Sequence, residues 1–472
     1  MLDIVSCEQS AANPRIEGRC DLQTTDHRTK IRLVGPRAIS FLITASLCLA
    51  QTSGSATTAS APDDIPSIIA RANQGNTDAQ VELADAYLRG QGVAQNDAEA
   101  VRWFREAAEK GNAEAQYVLG SLYGIGKGVG RDDVEASNWL LKAAQNGNAK
   151  AQYNMGVRFA YGRGTAKDDK QAAAWFRKSA EQGFAPGQLG LAAGYANGLG
   201  LPPDKAEALK WYTRAAEQGQ AEAQTQAGIM FYTGEGTSVS YPRAVSWFEK
   251  AAAQKNADAE FNLGVMYEHG QGLEPSSSAA AHYYRLAAGH GSAKALSNLG
   301  SLYQRGTGVP QDLKQAVELY TAAAEKGVFE AQNFLAGANL TGNGVLKDVA
   351  QAAKWMQLAA AHGNAEAECN LAILYQTGTG VSQSYKDALM WYEKAAEQGL
   401  AKAQYNLGAM YANGLGTTKD FVQADKWLSL AKGNGNKDSQ QAVEWLEPQM
   451  AHAQIAEAQR QADLWAQAHA SH

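Results

Sequence analysis

Cysteine is nearly missing from this chain. Of four in 472 residues, Cys7, Cys20 and Cys48 come before residue 49, which leaves Cys369 alone in the remainder. A single thiol supports no disulfide framework. Histidine is scarce as well, and His269, His282, His290 and His362 are spread through the chain with no metal-ligand spacing. With no His-Glu-x-x-His and no paired-Cys spacing, neither a metal site nor a cofactor is expected. Blocks of basic residues are lacking, and 42 Lys+Arg against 48 Asp+Glu give a net charge of −6. That excludes nucleic acid as a partner, since its recognition needs clustered cations. The longest uncharged, mostly apolar run, 38–50, has 13 residues. A bilayer takes about 20.

What the chain does have is repetition. Ten copies of a 36-residue unit run from Asn76 to Gly435 without a gap. Steps of 36 from Gly90 and from Gly92 meet glycine at every copy, and steps from Ala100 meet alanine as far as Ala424. Such a period is the mark of a solenoid. Within the unit, Ala79, Leu83 and Tyr87 recur every four residues and predict one helix of about three turns. Gly90 and Gly92 stop it, because glycine enters left-handed backbone freely.

A second helix starts just as plainly. Each position of the unit takes the number of its first copy, and position 96 holds only Asn, Asp or Ser, all of which cap helix N-termini. Three residues later Glu99, Glu135, Gln171, Glu207, Gln315, Gln351 and Gln423 predict seven capping boxes. Position 103 is tryptophan in eight copies: Trp103, Trp139, Trp175, Trp211, Trp247, Trp355, Trp391 and Trp427. Each is expected to wedge among small alanines, and Tyr283 and Leu319 to pack less tightly in the other two copies. The glycine that closes the second helix fails once, at Lys255, where either a strained lysine or Asn256 takes the turn.

The stretches Ala115-Gln116-Tyr117-Val118-Leu119-Gly120, Gly126-Lys127-Gly128-Val129 and Ala388-Leu389-Met390-Trp391-Tyr392-Glu393-Lys394-Ala395-Ala396 resemble the Sel1-like repeats, relatives of the tetratricopeptide repeats. The resemblance implies an all-α, right-handed α/α superhelical solenoid of helix-loop-helix units. It leaves function open, because a fold does not fix an activity. One cysteine-rich branch of that family, with a disulfide in each repeat, is linked to β-lactams, and those cysteines are missing here. Gly124-Ile125-Gly126-Lys127-Gly128 has the look of a phosphate loop, yet it is the ordinary inter-helix loop, with no strand before it. No enzyme is expected.

The chain divides into an N-terminal extension at 1–61, a capping helix at 62–75, the repeats at 76–435 and C-terminal capping helices at 436–472. Arg32 and Arg37, the apolar run 38–50 and a Ser/Thr/Ala/Gly-rich tract form a signal-peptide layout. Cleavage is expected after Cys48-Leu49-Ala50, or else after Ala59-Ser60-Ala61, and the true start near Val34. The protein is thus expected in a periplasm or outside the cell, with no stable membrane span after cleavage. Anchoring by an uncleaved N-terminal segment is the alternative. Near the other end, Ile455, Ala458, Ala462 and Trp465 predict an amphipathic cap whose start lacks the threonine and proline common in the family.

For a partner, one face of the first helix stands out. At 100° per residue, positions 82, 85 and 89 lie apart from the apolar arc. Position 82 is Asn154, Asn262, Asn298, Asn370 and Asn406, with Gln226 in a sixth copy. Amides suit the backbone of an extended peptide, or they bond the adjacent turn instead. Position 89 varies, as Arg89, Tyr161, Asn197, His269, Arg305 and Asn413. The resemblance places first helices on a concave surface, so the leading expectation is an exported, non-enzymatic scaffold that grips a protein or peptide there. It would serve envelope, signalling or host-contact processes. The alternatives are an envelope enzyme acting on β-lactams or cell-wall peptides, and an adaptor for quality control in the endoplasmic reticulum.

Overall fold

The computed structural model describes residues 64–469, so the apolar run 38–50 and its cleavage sites lie outside the described residues. Among the described residues there are 23 α-helices, one short 3-10 turn and no strand. The chain is all-α, as its periodicity predicts, with helix pairs packed in tandem. It forms two compact units, whose described parts are 64–275 and 276–469. The first holds α1 (Ile65–Asn73), α2 (Thr77–Arg89), α3 (Asp97–Glu109), α4 (Ala113–Ile125), α5 (Asp133–Gln145) and α6 (Ala149–Tyr161). It continues with α7 (Asp169–Glu181), α8 (Ala185–Asn197), α9 (Lys205–Glu217), α10 (Ala221–Thr233), α11 (Tyr241–Ala252) and α12 (Ala257–His269). The second holds α13 (Ser277–Gly289), α14 (Ala293–Arg305), α15 (Leu313–Glu325), α16 (Phe329–Thr341), α17 (Val349–Ala361) and α18 (Ala365–Thr377). It ends with α19 (Tyr385–Glu397), α20 (Ala401–Asn413), α21 (Phe421–Gly433), α22 (Ser439–Leu446) and α23 (His452–His469).

Local chemistry sets the helix ends. At position 96 the side chain accepts a backbone N–H of the first turn in nine copies. Ser240 makes no such bond, and Pro242 in the first turn of α11 fixes the start there. The expected capping boxes form only by half. The cap's own N–H is already taken, donating from Asn96 to the Tyr87 carbonyl at 2.9 Å and from Asp132 to that of Tyr123 at 3.0 Å. That bond ties the second helix to the end of the first and frees Glu99 to accept from Arg102 at 2.9 Å. The turn after α11 is made by Lys255, the only non-glycine residue with positive φ among the described residues, at 61°.

The two loop glycines have different reasons. Position 90 needs only its left-handed backbone, as at Gly162 with φ 68°. At position 92 the loop also presses on the preceding repeat. A Cβ on Gly164 would lie 1.8 Å from the Asp133 carbonyl oxygen, at the start of α5.

Tryptophan joins each hairpin to the one before. Trp175 of α7 packs with Leu140, Ala143 and Ala144 of α5 and with Ala151 and Met155 of α6. Trp103, Trp139, Trp175, Trp211 and Trp427 are buried, whereas Trp247, Trp355 and Trp391 are half-buried.

A second joint is polar and escapes the reading of the sequence. The Gln116 amide donates to the Ala108 carbonyl at 2.9 Å, at the end of α3. Its oxygen accepts from Asn146, beyond α5, at 2.9 Å. Gln152 bonds Ala144 and Gln182 in the same way, and Gln404 bonds Ala396 and Asn434. Buried glutamine thereby adds a second donor to a helix-end carbonyl that already accepts a backbone N–H, and ties the end of one second helix to the end of the next.

The ends of the repeats are covered. At α1, Asp64 caps by accepting from Ser67, and Ile68 and Ile69 pack beside buried Ala72. At α23, Ala458 and Ala462 are buried, and Trp465 meets Trp427 edge-on with ring centroids 6.1 Å apart. Trp465 Nε1 donates to Glu397 at 2.6 Å. The start of α23 uses a local substitute for the missing threonine, since Gln454 accepts the Ala451 N–H at 2.9 Å.

Candidate partner-binding surface

The amides of position 82 fall into two groups. Asn262, Asn370 and Asn406 are buried, whereas Asn154, Gln226 and Asn298 are half-buried. Equivalent residues show what this position faces. Phe334 of α16 stacks on Tyr320 of α15 with ring centroids 4.0 Å apart. At Gly190 a Cβ would meet the Phe176 ring of α7 at 2.8 Å. Position 82 therefore looks back at the preceding second helix, into the joint between hairpins. Neither amide atom of Asn262 or Asn406 has a hydrogen-bond partner within the protein. A docking peptide can reach only the half-buried members, and Gln226 already donates to Glu222 at 3.2 Å.

Position 85 corrects the helical-wheel expectation. Ala193, Ile229 and Val265 are buried in the first unit, and Ile373 and Ala409 in the second. These first helices are covered on more than one side, so no polar face runs along them.

Position 89 is different. It is the last residue of each first helix, followed at once by the left-handed glycine. In the first unit six successive first helices present Arg89, Ile125, Tyr161, Asn197, Thr233 and His269, all exposed. Arg89 is paired with Asp85 at 2.8 Å. In the second unit Arg305 is exposed, donating to the Ser301 carbonyl at 3.3 Å, and Asn413 is half-buried, donating to that of Ala409 at 2.9 Å. The result is one backbone geometry carrying unlike side chains.

Ten consecutive segments, from 77–112 to 401–436, match the model of the Sel1 repeat, with a shorter match at 432–448. The chain belongs to the Sel1 repeat family. Solved relatives agree. The structure of c5321, a protective antigen present in uropathogenic Escherichia coli strains and displaying an SLR fold, is 33% identical with a TM-score of 0.72, covering 85% of this chain and 86% of that one. A Sel1 repeat protein from Oxalobacter formigenes is 31% identical with a TM-score of 0.52, covering 64% of this chain and 88% of its own. No protein among those with curated functions matches the sequence. Sel1 repeat solenoids generally mediate protein–protein interaction.

In this Sel1 repeat protein the one cysteine of the described residues is buried. Cys369 is 2% exposed, and burial pushes its thiol up to about 12, far from a reactive thiolate. The Ser-x-x-Lys spacing of penicillin-recognising enzymes occurs once, at Ser429 and Lys432. It sits in the last turns of α21, with Ser429 half-buried and Lys432 exposed. Among the described residues no group of three or more His, Cys, Asp or Glu could hold a metal ion, and no helix is long and apolar enough to cross a membrane.

Among the described residues Asp425 is the one strongly perturbed buried carboxylate. It stands in α21 where other copies have Leu209, Val245 or Leu389, and its Oδ1 has no hydrogen-bond partner. Burial, then the Glu447 carboxylate, push it up to about 6. The folded chain thus holds this proton more tightly than the unfolded chain. Its contribution is full below the ordinary carboxylate pKa of about 4 and is lost as pH rises to about 6. Allowing for solvent screening, the loss is about 1–2 kcal/mol. Denaturation midpoints at acidic and neutral pH check this: Asp425→Leu should flatten the pH dependence and be the more stable protein at neutral pH.

Proposed function

We propose that this chain is an exported, non-enzymatic scaffold that holds a protein partner on the exposed ends of its first helices. The observation that carries the reading is the position 89 row of the first unit. Arg89, Ile125, Tyr161, Asn197, Thr233 and His269 are exposed at equivalent places on six successive first helices. A fixed scaffold with unlike side chains in register is what discrimination among partners requires. Export is supported by the layout around residues 38–50 and by the relative described as a protective antigen, because an antigen is met by the host. Envelope assembly, signalling and host contact are the processes such a scaffold would serve.

The test uses residues 51–472, immobilised and exposed to envelope extract, with the retained protein quantified by mass spectrometry. Tyr161 is 44% exposed, and an exposed aromatic is the expected hot spot. The pair Tyr161→Ala and His269→Ala should lower recovery of the bound protein by about tenfold or more with helicity unchanged. Equal recovery by both proteins would show that this row does not dock the partner.

A further inference from the structure

Another exposed row lies on the second helices of the first unit and is independent of the row just described. In α5, α7, α9 and α11 a cation follows the position 103 tryptophan by three residues and lies across its ring. Lys142 Nζ is 4.0 Å from the Trp139 ring centroid and Lys178 Nζ is 4.2 Å from that of Trp175. The Arg214 guanidinium carbon is 4.5 Å from the centroid of Trp211, and Lys250 Nζ is 4.1 Å from that of Trp247. All four cations are exposed, and none has a carboxylate within ion-pair distance. Glu181, Glu217 and Glu249 share these helices and leave the row unpaired, whereas the nearby Lys210 is held by Glu207 at 2.8 Å.

Packing alone does not demand these cations. In α17, Leu358 stands three residues after Trp355, and in α3, Glu106 stands three after Trp103. At Trp103 the neighbouring Arg102 lies over the ring instead, its guanidinium carbon 4.1 Å from the centroid. Lys394 repeats the arrangement in the second unit, 4.0 Å from the Trp391 centroid, so what sets the first unit apart is a run of four consecutive copies in a chain of net charge −6. The tryptophan beneath holds each ammonium or guanidinium in one place through cation–π attraction, so less side-chain entropy is lost when an anion arrives.

We propose that this row binds an extended acidic segment of a partner protein. Successive second helices of the row are one repeat apart, each packed on the first helix that lies between it and the next. An extended chain with regularly spaced carboxylates, laid across the row, meets the cations in turn. Such a surface makes binding salt-sensitive and fast, and it is set by charge register rather than by deep pockets.

The probe is a fluorescein-labelled (Pro-Pro-Glu) repeat peptide of about twelve residues, whose polyproline geometry puts its carboxylates roughly 9 Å apart. Its anisotropy is titrated with residues 51–472. Binding should weaken by about tenfold or more between roughly 50 mM and 300 mM salt. The (Pro-Pro-Gln) peptide should not bind. The variant Lys142→Leu, Lys178→Leu, Arg214→Leu and Lys250→Leu keeps each indole covered, as Leu358 shows is tolerated, and should lose the peptide by about tenfold or more. If that variant fails to fold, Lys178→Glu with Arg214→Glu replaces it, and should reject the acidic peptide while binding a (Pro-Pro-Lys) one. Failure of the parent protein to bind, or equal binding by the variants, overturns the proposal. So does tighter binding of a single-stranded oligonucleotide of the same charge, which would make the row a phosphate reader.

Discussion

Replacing Gly164 by alanine should cost about 3–5 kcal/mol, among the largest losses available to one methyl group in this protein. Two effects add. The backbone sits at φ +63°, where a side chain costs about 1–2 kcal/mol. The new Cβ would also lie 1.8 Å from the Asp133 carbonyl oxygen, a contact that only movement of the loop from the start of α5 can relieve. That movement loosens one repeat from the next. Gly147→Ala separates the two effects, since φ is +87° there with nothing within 4 Å of the added atom. It should cost only about 1–2 kcal/mol. Urea denaturation of the three proteins side by side gives both values. Equal losses for Gly164→Ala and Gly147→Ala would mean that the loop contact carries no energy.

The second large effect is expected at Trp175. The side chain is 8% exposed and packs with α5 of the preceding repeat and α6 of its own, so Trp175→Ala should cost about 3–5 kcal/mol. Its consequence differs from a core truncation in a globular domain. A solenoid is held by terms between nearest neighbours. Weakening one joint should make unfolding less cooperative, with a lower denaturant slope as well as an earlier midpoint. Trp355→Ala in the second unit starts from a half-buried ring and should cost less.

The parts of this architecture legible in the sequence are those fixed by a residue's own backbone. The caps at Asp132 or Asp168, the stops at Gly90 or Gly126 and the tryptophan wedge need only local chemistry and recur at one spacing. The parts missed or misjudged depend on residues of another helix, from eight to thirty positions away. Position 82 seemed free on the wheel of one helix, yet Phe334 on Tyr320 shows it facing the helix before. Position 85 carried its own warning, since Ala193, Ile229, Val265 and Ile373 are apolar in the sequence itself. The glutamine joint was visible too, as Gln80, Gln116, Gln152, Gln188, Gln224, Gln332 and Gln404. Nothing local explains a glutamine inside a helix, and its reason appears only once Ala108 and Asn146 lie beside Gln116. The capping boxes failed for a related cause, because the Asn96 N–H had a better acceptor in Tyr87.

Native-state hydrogen exchange on Trp175→Ala tests most directly whether stability here is passed from hairpin to hairpin by these wedges. Amides of α5 to α8 should lose protection together, while those of α2, α3 and α11 keep most of theirs. A uniform loss across all helices of the first unit would contradict a nearest-neighbour stack and point to a single cooperative core.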